Sequence, residues 1–210
     1  MKRMYAVIEC RIECPKCGGP LPLNGPLSKA HCDRCQNDTD VPDQFWADTL
    51  GSIRQELDEL REGEGRNSTI LGLFHVTLTS GKLKPRCSKC KKDLAVPGEG
   101  TSPSTVACPE CARVYPVSPA PERIRKLLPS LGVIVGAAPD APPGVPGPDA
   151  QAGSRPVIFY CPQCNAPLKV DGRDRLVGCK SCGVDVYLPD GLWLRLHPVT
   201  TVERWFAGFL

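Results

Sequence analysis

The sequence predicts small, mainly β modules with short helices, each needing a cross-link to fold. Aromatic residues make up only 6% of the 210 residues, while prolines number 23 and glycines 20, which argues against one large core. Twelve of the 13 cysteines form six C-x-x-C pairs, called knuckles below, and the knuckles recur in three similar groups. The pattern therefore predicts three successive cysteine-bearing units.

Each group contains two knuckles, and the gaps between them are 14, 17 and 14 residues long. This spacing is typical of structural metal sites, in which two knuckles offer four thiolates to one ion. We therefore expect three closed tetrahedral sites that hold three structural Zn2+ ions. Their predicted ligands are Cys14, Cys17, Cys32, Cys35, Cys87, Cys90, Cys108, Cys111, Cys161, Cys164, Cys179 and Cys182.

Two other uses of these cysteines stay open, namely a rubredoxin-like iron site and disulfides or redox dithiols. The N-terminal residues contain no apolar run long enough for a signal peptide, and the apolar stretch 131–138 is too short to cross a bilayer. We therefore expect a cytoplasmic protein without a membrane segment. Thiols stay reduced in that compartment, which favours zinc over disulfides.

The groups recur with a period of about 73 residues, since Cys87 lies 73 residues after Cys14 and Cys161 lies 74 residues after Cys87. An apolar strand is predicted before each group, over 4–12, 70–79 and 157–160. We expect a first unit with an amphipathic helix in 1–65 and a second with a short helix in 66–135. A Pro/Gly/Ala linker in 136–156 and a third unit with a C-terminal apolar helix in 157–210 complete the predicted domains.

Three helices are predicted. The first spans 43–62, where Trp46, Leu50, Ile53, Leu57 and Leu60 form one apolar stripe that either packs within its own unit or faces a partner. A short helix is expected over 122–128. The third begins at Thr200 or Thr201, because the apolar residues from 202 to 210 follow a capping-box pattern. It is expected to fold back on the third unit with Trp193 and Leu196, or else to dock to another protein.

Local residue types refine the site predictions. The residue after each knuckle often has a positive φ, which suits Gly18, Asn165 and Gly183 better than Gln36, Lys91 and Ala112, so the middle site is expected to be irregular. Cys10 shares the apolar face of its strand and is predicted to be a buried free thiol. His31 precedes Cys32 and is a candidate replacement ligand, although a hairpin side chain is the simpler interpretation.

The charge distribution bears on nucleic-acid binding. The formal net charge is +3, but twelve thiolates with three divalent ions contribute −6, so the metal-loaded protein carries about −3. A basic run precedes and enters the second group, and it is the candidate phosphate-binding surface. Its residues are Lys82, Lys84, Arg86, Lys89, Lys91 and Lys92.

The knuckles Cys14-Pro-Lys-Cys17-Gly-Gly-Pro-Leu and Cys161-Pro-Gln-Cys164-Asn-Ala-Pro-Leu, each followed by a second knuckle, resemble the zinc-ribbon superfamily. The resemblance covers about a third of the chain and implies three tandem zinc ribbons joined by helical and Pro/Gly-rich linkers. It implies no particular activity, since the superfamily has many roles. The central knuckle Cys87-Ser-Lys-Cys90 departs from the pattern because it lacks the proline and the glycine.

No enzyme is predicted, because sulfur-saturated sites leave no position for substrate and the sequence contains no phosphate loop or nucleophile elbow. We expect a non-enzymatic zinc-binding scaffold or adaptor that mediates protein–protein interaction, with an unidentified protein partner. A nucleic-acid-binding or transcription-associated role for the basic middle unit is the first alternative. A rubredoxin-like iron electron carrier is the second.

Overall fold

The computed structural model describes residues 3–96, 104–137, 159–170, 175–189 and 201–210. The chain divides into two compact units, of which the first comprises residues 1–145 together with 201–210 and the second comprises 146–200. This division differs from the predicted boundaries at 65, 135 and 156. The first two cysteine groups belong to one unit, and the C-terminal residues belong with them.

The first unit is built on a large antiparallel sheet. In chain order its described elements are β1 (Met4–Glu13), β2 (Pro20–Pro22), β3 (Lys29–His31), β4 (Asp38–Asp40), α1 (Asp43–Glu59), β5 (Gly65–Leu71), β6 (His75–Lys82), β7 (Ser104–Ala107), β8 (Val114–Pro119), α2 (Glu122–Arg125), β9 (Leu131–Val135) and β14 (Trp205–Phe209). The strand order is β5-β6-β1-β14-β9-β8-β7, and β2 also pairs with β1. The β3–β4 hairpin is separate from this sheet.

The two faces of the sheet carry two different cores. Side chains alternate between the faces along a strand. Ala6, Ile8, Cys10 and Ile12 of β1 therefore lie in one core, while Tyr5 and Val7 pack in the other. The first core includes α1, α2 and the first cysteine group, and the second core includes the second cysteine group. The sheet thus separates the first two groups.

The amphipathic helix α1 covers the first face with its predicted stripe. Trp46, Leu50, Ile53 and Leu57 are buried, whereas Leu60 is the residue that caps the helix C-terminus. The Trp46 indole donates a hydrogen bond of 2.7 Å to the carbonyl of Leu27, and its ring meets that of Trp205 edge-on at 6.0 Å. The interpretation of internal packing is confirmed, and this stripe is not a docking face.

The predicted C-terminal helix is wrong, because residues 205–209 form the strand β14. This strand lies between β1 and β9 in the interior of the sheet, with Met4 opposite Phe209 and Ile8 opposite Trp205. All five of its residues are buried, since both faces of the sheet are covered at this position. A strand that is buried on both faces requires a continuous apolar run. Such a run also contains apolar residues at helical spacing, so the sequence pattern alone does not distinguish it from a helix. The segment belongs to the first unit, whereas the third cysteine group belongs to the second.

The second predicted leading strand also differs from the structure. Residues 65–82 form the hairpin β5–β6, in which Leu71 pairs with His75, instead of a single strand over 70–79. Gly72 lies in the turn and the extended pattern continues on both sides of it. The first leading strand is confirmed, whereas the helix predicted over 122–128 is present as α2 but ends at Arg125.

The second unit is inserted in the sequence between two strands that are neighbours in the sheet of the first unit. The chain leaves β9 at Val135 and returns at β14, where Phe206 pairs with Val135. The Asn24 side chain donates to the Thr201 carbonyl at 2.8 Å and accepts from the Glu203 N–H at 2.7 Å. A Cβ at Gly25, where φ is +137°, would meet the Ala137 Cβ at 2.7 Å. One turn of the first unit therefore contacts residues of the same unit that lie before and after the insertion in the sequence.

The described part of the second unit consists of two short hairpins. They are β10 (Phe159–Tyr160) with β11 (Pro167–Leu168), and β12 (Leu176–Gly178) with β13 (Asp185–Tyr187). The buried cluster between them comprises Cys161, Leu168, Cys179 and Val186. Most of the predicted linker 136–156, together with Trp193 and Leu196, lies outside the described residues.

Candidate metal centres

All six knuckles are turns of hairpins with the same register. The residue before the first cysteine of each knuckle pairs with the residue six positions after that cysteine, as Glu13 does with Pro20 and Arg86 with Asp93. The other four pairs are His31 with Asp38, Ala107 with Val114, Tyr160 with Pro167 and Gly178 with Asp185. The middle group, expected to be irregular, follows the same plan.

The backbone of each knuckle is closed by the same two hydrogen bonds. In the first, the Gly18 N–H donates to the Cys14 carbonyl at 2.9 Å and the Cys14 N–H donates to the Gly19 carbonyl at 2.8 Å. The equivalent bonds in the other five knuckles measure 2.8 to 3.0 Å. The residue after each second cysteine has a positive φ of 56° to 74°. These residues are Gly18, Gln36, Lys91, Ala112, Asn165 and Gly183.

The left-handed conformation at Gln36, Lys91 and Ala112 corrects the expectation drawn from residue type. Non-glycine residues adopt it at a cost that the surrounding structure must offset. Here the N–H of the left-handed residue donates a hydrogen bond to the carbonyl of the first cysteine in the same knuckle. The geometry is therefore required by the turn, whichever residue occupies the position.

The knuckles bring the twelve predicted ligands together as three separate tetrads, and within each tetrad all four sulfurs lie within 4.8 Å of one another. The closest pairs are 3.7 Å apart in the first tetrad, 3.3 and 3.5 Å in the second, and 3.6 and 3.7 Å in the third. A zinc ion lies about 2.3 Å from each thiolate, so a regular tetrahedron has sulfurs about 3.8 Å apart. The tetrads fit a four-coordinate ion of this size, and they could hold three metal ions.

The thiol pKa values show how the turns favour bound thiolates. The Tyr115 hydroxyl donates to the Cys87 sulfur and lowers the pKa of Cys87 to about 5. The backbone N–H groups of Cys182 and Ser181 lower the pKa of Cys179 to about 6. Conversely, the pKa of Cys90 is raised to about 12, first by its hydrogen bond with Cys108. Four clustered thiolates repel one another, so a cation is what allows all four to be ionised.

Tyr115 is a functional residue of the second tetrad that the sequence patterns did not identify. Its hydroxyl lies 3.2 Å from the Cys87 sulfur and accepts the Ser88 N–H at 2.8 Å. Arg113 in turn donates to the Ser88 hydroxyl at 2.6 Å. This arrangement resembles the outer-shell hydrogen bonds that orient metal ligands elsewhere. No sequence signal links a tyrosine to a cysteine 28 positions away.

Tyr115→Phe is expected to weaken metal binding at the second tetrad about tenfold without unfolding the sheet, because it removes one donor to a ligand sulfur. Competition with a chelator of known affinity measures the change. Tyr160→Phe is the matched control, since the Tyr160 side chain is half-exposed beside the third tetrad. Equal affinities for Tyr115→Phe and the unmodified protein would contradict this role.

Cys10 and His31 do not join the tetrads. Cys10 is completely buried in β1, and burial raises the pKa of its thiol to about 12, which confirms the predicted free buried thiol. His31 Nδ1 lies 2.7 Å from an Asp38 oxygen, and its Nε2 lies 3.2 Å from the Gln36 oxygen. Both ring nitrogens thus have side-chain partners, in agreement with the hairpin interpretation.

The basic run is largely engaged within the protein. The Lys82 ammonium donates to the carbonyls of Leu57 and Leu60 at 2.6 and 3.0 Å, where it neutralises the negative end of α1. Arg86 pairs with Asp93 at 2.7 Å, and Lys92 pairs with Glu110 at 3.4 Å. The Lys91 ammonium donates to the Ser88 carbonyl at 2.9 Å. Four of the six cations of the run therefore have intramolecular partners, which reduces the charge offered to phosphate.

A comparison of the chain with known protein families, curated proteins and solved structures found no match. Within the described parts of the chain, neither helix has the length and apolar content needed to cross a membrane. The class of site is therefore assigned from its geometry alone. The chain carries three cysteine tetrads that could bind metal, consistent with zinc-ribbon-like modules.

Proposed function

We propose that this protein is a non-enzymatic zinc-binding scaffold that mediates protein–protein interaction. The observation that supports it best is the set of three tetrads built into six equivalent hairpin turns. Four thiolates complete the coordination of zinc and leave no position for a substrate or an attacking water, which is the arrangement of structural sites. Tetrahedral four-sulfur sites suit zinc or iron. We prefer zinc because the proposed structural role requires no redox chemistry.

The free sheet edge formed by β5 supports the interaction role. Every residue of Gly65–Leu71 is exposed, and among the described strands β5 pairs with β6 alone. Leu71 and Leu73, at the adjoining turn, are 79% and 72% exposed. An exposed strand edge can pair with an extended segment of a partner, while neighbouring apolar side chains contribute specificity. The stripe of α1 is buried and takes no part in this proposal.

Metal analysis and affinity capture of the same preparation test the proposal together. We expect a colourless protein with three zinc ions per chain that captures a partner from host extract, and we expect Leu71→Lys to lose the partner but keep the metal. Leu176→Lys, at an exposed position of the second unit, is the control. A coloured, iron-loaded protein would support electron transfer instead. Salt-dependent binding to nucleic acid at physiological ionic strength would support the other alternative.

A further inference from the structure

The third tetrad is more open to solvent than the other two. Cys161 and Cys179 are buried, but Cys164 and Cys182 are exposed. The equivalent second cysteines of the other knuckles, namely Cys17, Cys35, Cys90 and Cys111, are only partly exposed. Two of the four cysteines of the third tetrad are therefore more accessible to a competing ligand than their counterparts in the other tetrads.

Among the described residues, the third tetrad has the smallest supporting core. Its buried cluster there contains two residues besides ligand cysteines, Leu168 and Val186, and Phe159, Ala166 and Val170 pack against it partly buried. The first tetrad adjoins a core that includes Trp46, Trp205 and Phe209, and the second adjoins Phe206 and the valines of β8 and β9. The two described hairpins bury little apolar surface to offset the entropy of ordering their chain, so a bound metal ion would contribute a large share of their folding free energy.

The first two tetrads are in the opposite situation. One knuckle of each tetrad extends strands of the large sheet, between β1 and β2 in the first and between β7 and β8 in the second. The sheet therefore holds two of the four cysteines of each site in place when no ion is bound. A preorganised site recaptures its ion readily, whereas a site that unfolds with metal loss does not. The hydrogen bond from Tyr115 to Cys87 adds further support at the second tetrad.

The position of the second unit in the sequence makes separate unfolding possible. It is inserted between β9 and β14, and these strands pair directly with each other. The contacts of Asn24 with Thr201 and Glu203 hold the returning chain within the first unit. Loss of structure in 159–189 therefore leaves the sheet of the first unit with all its strands.

We propose that the third tetrad is an exchangeable zinc site, so that the second unit folds and unfolds with zinc supply while the first unit keeps its two ions. The inference rests on the proposed zinc binding and assigns the third ion a different role from the first two. The first two ions are structural components of the sheet-bearing unit. The third ion is a ligand whose occupancy decides whether the inserted unit is folded.

The test uses the full chain loaded with excess zinc and then freed of unbound metal. Addition of the chromogenic chelator 4-(2-pyridylazo)resorcinol is expected to remove one ion at least about tenfold faster than the other two. N-ethylmaleimide added after the fast phase is expected to label the cysteines of the third tetrad first. Hydrogen exchange at that point is expected to be fast in 159–168 and slow across Trp205–Phe209.

Two variants assign the phases. Cys164→Ser should abolish the fast phase and retain both slow ions, whereas Cys17→Ser should retain the fast phase. Release of three ions in a single phase, or first labelling of another tetrad, would overturn the exchangeable site while leaving the three-zinc scaffold intact. Failure of the chain to bind a third ion in excess zinc would overturn both.

Discussion

Deletion of Thr201–Leu210 is expected to unfold the first unit, including its two tetrads. β14 joins β1 to β9, so its loss leaves the sheet in two parts and exposes both cores at once. The second unit should keep its ion, because its hairpins make no use of this strand. Metal analysis and hydrogen exchange of the truncated chain in the presence of zinc provide the measurement.

Single substitutions in β14 separate the loss of a side chain from the loss of a strand. Phe209→Ala is expected to lower the free energy of unfolding by about 3 to 5 kcal/mol, because Phe209 is completely buried in the core that also contains the apolar side chains of α1. Leu210→Ala is the matched control, since Leu210 is 41% exposed, and it should change stability by less than about 1 kcal/mol. Denaturant titration compares them. Similar small losses for both variants would mean that the strand contributes little to the core.

The second large effect concerns Cys14 and Cys10, two buried cysteines of very different roles. Cys14→Ser is expected to lose the ion of the first tetrad, because an incomplete site loses much of a binding free energy of about 10 to 16 kcal/mol. Cys10→Val should keep all three ions and cost less than about 1.5 kcal/mol, since it replaces one small apolar group with another. Bound metal and the denaturation midpoint are measured for both variants. Metal loss in Cys10→Val would identify Cys10 as a ligand after all.

The sequence was sufficient to predict the parts of the fold that depend on local pattern. Six C-x-x-C pairs identified every tetrad residue, because ligand spacing is dictated by the turn that presents two sulfurs to one ion. Alternation in β1 placed Cys10 in the core, and the apolar spacing of α1 placed Trp46 and Leu57 there. In each case neighbours in the sequence determine the exposure of the side chain.

The rest depended on contacts between distant residues. Trp205, Phe206 and Phe209 have spacing that fits a helix, and only the presence of cores on both faces of the sheet makes the segment a buried strand. Likewise, the repeat of about 73 residues suggested independent modules. Instead, the pairing of β1 with β14, in which Met4 lies opposite Phe209, joins the strands beside the first two cysteine groups in one sheet. A local pattern contains no information about such a pairing.

The pairing of β1 with β14 also sets the order in which the molecule can be completed during its synthesis. β1 emerges from the ribosome roughly 200 residues before its neighbour β14, and synthesis of that length takes about 10 to 40 s at 5 to 20 residues per second. Throughout that delay the edge of β1 that later receives β14 lacks its partner strand, while the second unit has already been made. The nascent chain can thus complete the second unit before the first, and the unpaired edge of β1 is the point at which aggregation or chaperone binding would compete with folding.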